Sequence, residues 1–256
     1  MKNNKNFKNF IKEIKDATKK ECYEFKVLKG EPGLLDSKIG GEPYIPVGKS
    51  QPYSSKNEPL ALLVQINFDG INLENFPDHG ILQVFVDAKV DYPTEYKIVY
   101  YEDTSIKQTP IALEKTDLKD FFIQEPIKIG LKKTTTYMPI SDFRFDEICA
   151  KSAKNNLGVN ITETFDLEDV TDINIDDVYN EFDSPAGNIG GYADFTQTDP
   201  RTFEDDKDYT ECLVKIDSCL DDKINIGDCG IAWVLINKED LINKHFEKGL
   251  FDWDCC

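Results

Sequence analysis

The feature that most limits what this chain can fold into is a repetition at a constant distance of 150 residues. Lys38-Ile39-Gly40-Gly41 recurs as Asn188-Ile189-Gly190-Gly191. Leu63-Val64-Gln65-Ile66-Asn67 recurs as Leu213-Val214-Lys215-Ile216-Asp217, and Asp78-His79-Gly80-Ile81 recurs as Asp228-Cys229-Gly230-Ile231. Aligned without a gap over positions 38 to 87, 11 of 50 residues are identical, where unrelated sequences would share about 3. Ancient duplication is the natural explanation. Each copy reads as a Gly-Gly turn, a loop, a strand ending in Asn or Asp, a second loop, and a strand entered through Gly.

Two β-rich units that cannot each cover both sheet faces should pack against one another. The expected fold is α+β: a β-rich single domain over residues 1–256, built from two duplicated units related by pseudo-two-fold symmetry, with an N-terminal amphipathic helix. The units are expected at 30–135 and 184–256, the helix within 1–24, and a connecting acidic segment at 136–183. Phe7, Phe10, Ile11, Ile14 and Ala17 fall on one helical face with Lys on the other, through about Lys20. Runs 61–67, 81–87 and 96–102 are rich in Val, Ile, Phe and Tyr between turn-forming clusters, the pattern of strands. Residues 117–122 and 141–153 each offer an N-cap followed by periodic apolar positions, which predicts two short helices. Asn237 heads a further helix with acids first and bases later.

Composition excludes several classes of function. The chain has 256 residues and a formal charge of -18, so a sequence-independent nucleic-acid binder is not expected, because phosphates are neutralised by Lys and Arg. No apolar run approaches the roughly 20 residues of a membrane span. The Lys-rich first twenty residues contain no continuous apolar stretch, which predicts a cytoplasmic protein. The seven Cys form neither a disulfide framework nor a zinc pattern, and Cys255-Cys256 reads as a packed tail. Asp172, Asn174 and Asp176 imitate the start of a calcium loop, but Asp177 stands where a sharp turn needs Gly and Asp183 where a bidentate Glu is expected. No metal and no cofactor are indicated.

Candidate ligand-binding positions follow from the repetition. Gly40, Gly41, Gly190 and Gly191 mark places of positive φ or close backbone approach. A cleft between the copies would set Gln65 against Lys215 and His79 against Cys229, with Asp194 and Asp228 close to the second copy's turns. The two His suggest no nucleophilic triad, and G-x-S-x-G is absent.

The segments 37–46, 60–67, 80–86, 188–194, 228–233 and 251–254 resemble the YwqG-like family of bacterial proteins of unknown function. That resemblance implies an α+β bacterial cytoplasmic protein and supplies no established catalytic residues. Charge sharpens the functional expectation. Residues 1–135 hold 20 basic and 20 acidic side chains, whereas 136–256 hold 10 against 28, so the whole excess belongs to the second part. Nine acids and no base lie within 163–183. A non-enzymatic binding or accessory protein presenting an acidic face to a basic protein partner is the first expectation. An enzyme or small-ligand sensor, with a site between the copies near the Gly-Gly turns, is the alternative.

Overall fold

The computed structural model describes residues 4–88, 95–110, 112–114, 116–118, 121–203 and 206–255. Ten strands form one antiparallel sheet: β1 (Lys20–Val27), β2 (Lys38–Ile39), β3 (Ala61–Asn67), β4 (Ile81–Val86), β5 (Tyr96–Tyr101), β6 (Ile127–Thr136), β7 (Gly187–Gly190), β8 (Glu211–Asp217), β9 (Ile231–Ile236) and β10 (Leu250–Asp254). Their order across the sheet is β10-β9-β8-β7-β1-β6-β2-β3-β4-β5. From the central β1–β6 pair, then, β2 to β5 run outward on one side and β7 to β10 on the other. The connections cross. β1, which precedes β2 in the chain, bonds to β7, while β6, which precedes β7, bonds to β2.

The two flanks share register as well as order. β3 and β8 have bounds 150 residues apart, as do β4 and β9. The β3–β4 ladder is irregular between Leu62 and Val64, and the β8–β9 ladder between Cys212 and Val214. The sheet curls until its outer strands approach, making a nearly closed barrel. Tyr96 on β5 donates its hydroxyl to the Gly249 carbonyl at 3.2 Å and packs its ring 5.5 Å from that of Phe251 on β10.

Period-two alternation sends one face of every long strand inward. Phe25, Leu63, Ile66, Val84, Ile129, Leu213, Ile216 and Val234 belong to a single buried cluster drawn from both flanks. The axis between the flanks is therefore filled by side chains. β3, β4 and β9 are buried on their outer faces too, so loops must cover the barrel from outside.

Helix α1 (Asn4–Thr18) packs Phe10, Ile11 and Ile14 against Phe145, Cys149 and Ala153 of α2 (Phe145–Asn156). It stops sooner than its periodicity suggests. The Tyr192 hydroxyl takes up the Thr18 carbonyl at 2.8 Å, and from Lys20 the chain is strand. Short helices α3 (Leu167–Val170) and α4 (Ile175–Tyr179) carry the acidic segment, and α5 (Lys238–Ile242) is capped by Asn237, whose side chain accepts from the Glu239 amide. The helix expected over 117–122 is not formed at 117–118 or 121–122, while 119 and 120 lie outside the described residues. Phe121 and Phe122 are drawn into the common core instead, with Phe122 edge-on to Trp253 at 5.0 Å. No described helix is long and apolar enough to cross a membrane.

Candidate functional site

Each flank carries a row of buried side chains across three strands on the outer face. In the first, Lys38, Gln65 and Gln83 stand side by side on β2, β3 and β4. In the second the same places hold Asn188, Lys215 and Trp233 on β7, β8 and β9. Each row thus keeps one ammonium and one amide on its first two strands but exchanges which strand bears which.

The first row is a clamp for the loop before and after β2. Lys38 Nζ donates to the carbonyls of Gly33 at 3.1 Å and Leu34 at 3.0 Å. Gln65 donates to the carbonyls of Leu34 and Asp36 and accepts from the Tyr44 amide at 3.0 Å and from Gln83 Nε2 at 2.7 Å. Burial pushes the Lys38 ammonium down to about 8, against the opposing pull of Glu42 and Asp36. These bonds spend Gln65 on holding the loop.

The second row opens toward solvent through two serines. Lys215 Nζ donates to Ser184 Oγ at 2.7 Å, Ser184 Oγ donates to Asp194 Oδ2 at 2.7 Å, and Ser141 Oγ donates to Asp194 Oδ1 at 2.5 Å. Asp194 and Ser141 are in the floor of a cleft of about 640 Å³, walled by Ile140, Asp146, Phe165, Tyr179, Asp183 and Thr196 among others. Among the described residues, no Lys or Arg lines it. Phe165 is 57% exposed and Tyr179 42%, and their rings meet at 6.2 Å on the rim. Burial, with the charges of Asp146, Asp194 and Asp176, pushes the Tyr179 hydroxyl up, as a negative field requires.

Two further constellations fix the cleft. Asp254 on β10 accepts from the Thr196 amide and hydroxyl and from the Gln197 amide, which pins the loop after β7 and gives the terminal Phe251-Asp-Trp-Asp254 run its purpose. Beside Ser141, Asp142 is gripped by Arg144 and Arg201, and Arg201 bonds Asp199 through Nε at 2.9 Å and Nη2 at 2.7 Å. Arg201 also lies 5.4 Å from the rings of both Phe143 and Phe195.

Of the candidate positions, the structure links Asp194 to Lys215 through Ser184 and brings neither to the Gly-Gly turn of the first flank, to Gln65 or to His79. All four paired glycines have left-handed backbone, with φ of 67° at Gly40, 80° at Gly41, 67° at Gly190 and 68° at Gly191. A Cβ on Gly40 would stand 2.6 Å from Ile123, and one on Gly190 2.4 Å from Leu73. The two turns end β2 and β7, which are separated by β6 and β1 and run in opposite directions. Strand spacing and rise put them about 20 Å or more apart, so one small ligand cannot touch both. Gly41 borders a cavity of about 550 Å³ in the first flank, while Gly190 and Gly191 border one of about 330 Å³ with Leu73, Glu74 and Lys20. His79 is half exposed and pairs with Asp78 at 2.6 Å, and Asp228 is in the exposed turn before β9. Among the described residues, no group of three or more His, Cys, Asp or Glu could hold a metal.

Ser141 and Ser184 carry no motif and were not among the candidates. A buried Lys at a strand position where its repeat partner is Gln was the available signal, since such a charge needs a polar partner nearby.

A nearly closed antiparallel barrel with buried polar rows outside it defines a domain architecture. The family model described as a domain of unknown function, DUF1963, matches residues 37–255, and the chain belongs to that family. The match begins just before β2, so α1 and β1 stand outside it although β1 is central to the sheet. No curated protein matches the chain.

Proposed function

We propose that this is a non-enzymatic binding protein of the bacterial cytoplasm whose second half holds a basic protein partner, with the cleft beneath α4 receiving a Lys or Arg side chain. The observation that carries the reading is the cleft itself: three carboxylates, no base, and two half-exposed aromatic rings at its mouth. An alkyl chain ending in a cation satisfies both requirements, since aromatic faces attract cations and Asp194 at the floor accepts hydrogen bonds. Around it, exposed Glu168, Asp169, Asp172, Asp176 and Asp177 extend the negative field that would steer such a partner. We further infer that the two flanks descend from one duplicated unit. The shared ladder irregularities and the exchanged Lys and amide in the two rows support common ancestry, and they explain why one copy diverged toward clamping its own loop while the other kept an open cleft.

The test uses a Lys-rich peptide and a charge-matched Glu-rich control against the full chain by titration calorimetry. The Lys-rich peptide should bind, and its affinity should fall about tenfold between low and physiological salt. F165A should weaken it further, by removing the ring rather than charge. Binding that ignores salt, or equal binding of both peptides, would refute the reading.

A further inference from the structure

Of the six described cysteines three are buried, two are exposed and Cys255 is intermediate. Cys22, Cys149 and Cys212 are buried, with thiols pushed up to about 11, 11 and 12 by burial. Cys219 and Cys229 are exposed, and they belong to one place in the fold. The β8–β9 ladder ends with Asp217 opposite Ile231. It is extended by one step, in which the Ser218 amide and hydroxyl both donate to the Gly230 carbonyl at 3.0 Å. The next residue on each side is a cysteine. Beyond that step both chains leave the ladder, Cys219 within a 3-10 turn over Ser218–Leu220 and Cys229 in the tight turn before β9, so the two cysteines flank one hydrogen-bonded residue pair, near enough for the charge of Cys229 to act on Cys219; a disulfide needs their Cα atoms about 4.4 to 6.8 Å apart.

The other flank supplies a second, independent observation. There the Phe68 amide donates to the Gly80 carbonyl at 2.9 Å, the counterpart of the Ser218–Gly230 bond, and the residues beyond are Asp69 and His79. Both residues that flank this bond therefore differ between the flanks, and both are Cys in the second. Cys229 also has left-handed backbone, with φ of 63°, in a loop whose Gly227 has φ of 56°.

We propose that Cys219 and Cys229 are a redox pair that closes to an intramolecular disulfide across the mouth of the β8–β9 hairpin when the chain meets a low-molecular-weight disulfide. One cysteine thiolate attacks that disulfide, forming a mixed disulfide and releasing one small thiol. The second cysteine thiolate then attacks the protein sulfur and releases the other. The two protein thiols give up two protons and two electrons, and the small disulfide takes them to become two thiols. Asp217 sets the pace. Its carboxylate, by charge and by hydrogen bond, raises the Cys219 thiol and so keeps the nucleophile protonated.

The experiment is incubation of the folded full chain with oxidised glutathione, followed by intact-mass measurement and non-reducing tryptic mapping. Cleavage after Lys215, Lys223 and Lys238 separates the two cysteines into different peptides, so the link is read directly. The expected result is a loss of two hydrogen atoms and one cross-linked pair, Cys219 with Cys229. It should survive in C255S, vanish in C219S, and form several-fold faster in D217N, whose amide still accepts from the Cys219 backbone. Glutathione left on both cysteines without a cross-link would overturn the proposal. So would a link from Cys229 to Cys255, which packs against Gly227 and Gly230 from the core side, or an unchanged rate in D217N.

Discussion

Replacing Arg201 with Met tests whether the ion network beside the cleft is a structural latch. The side chains of Asp142 and Asp199 are 0% and 1% exposed, and that of Arg201 is 3% exposed, so the substitution strands buried carboxylates rather than surface charge. Asp142 keeps Arg144, but Asp199 loses its only ion-pair partner among the described residues. Breaking a buried pair by removing one partner costs about 3 to 5 kcal/mol. For a chain of this length that corresponds to a fall in Tm of about 6 to 20 °C. Urea unfolding followed by circular dichroism measures it. K12A, which breaks the exposed Lys12–Asp16 pair, is the control and should change stability by less than about 0.5 kcal/mol. The sign of the pH dependence is fixed as well. Burial alone would raise the Asp142 carboxyl, but the bonds and charges of Arg144 and Arg201 prevail and hold it below its ordinary value. Its contribution is present above the unfolded carboxylate value near pH 4 and is lost as pH falls below that. The gap between wild type and R201M should therefore narrow in acid. A cost below about 1 kcal/mol, or a gap that widens as pH falls, would refute the latch.

Backbone and ancestry yield the remaining predictions. G190A adds a Cβ 2.4 Å from Leu73 at a φ of 67°, whereas G48A meets open space at a φ of 86°; thermal unfolding should show a loss of about 3 kcal/mol or more for the first and about 1 for the second. Q65K sets a second buried ammonium beside Lys38 and should cost more than about 2 kcal/mol, while K38N in the same chain copies the second row's arrangement and should recover at least about 1 of it in a double-mutant cycle. Additive costs would argue against equivalent rows.

What could be read from the chain divides along a physical line. β3, β4 and β5 were legible because their apolar runs are bounded by Gly, Asn and Pro, and the observed bounds differ from the expected ones by at most a residue. β6 was not. Its Lys128 and Lys132 lie on one face and Lys133 on the other, among Gly and Thr, so little distinguishes Ile127–Thr136 from a polar loop until β1 is beside it. β1 was hidden behind α1, because Lys20 and Glu21 continue the helix's charge pattern across the boundary. The paired glycines announced their backbone conformation correctly. They could not announce that their turns lie at opposite ends of the central strands, since the exchange of β1 and β6 is a property of pairing alone. Lys215 was found through repetition and Asp194 through the segment after the second Gly-Gly turn, but the serines that bond them come from distant segments, and hydroxyl partners leave no periodic trace.

The crossing of β1 and β6 also orders events in time during synthesis. β1 leaves the ribosome early, yet both strands that bond to it, β6 and β7, are encoded beyond residue 126. At roughly 5 to 20 residues per second, α1 and β1 wait several seconds with a bare ladder edge on each side. The alternation of Glu21, Glu24 and Lys26 with apolar residues along β1 puts charges on the edge that must wait, which is how exposed strands avoid pairing with the wrong chain.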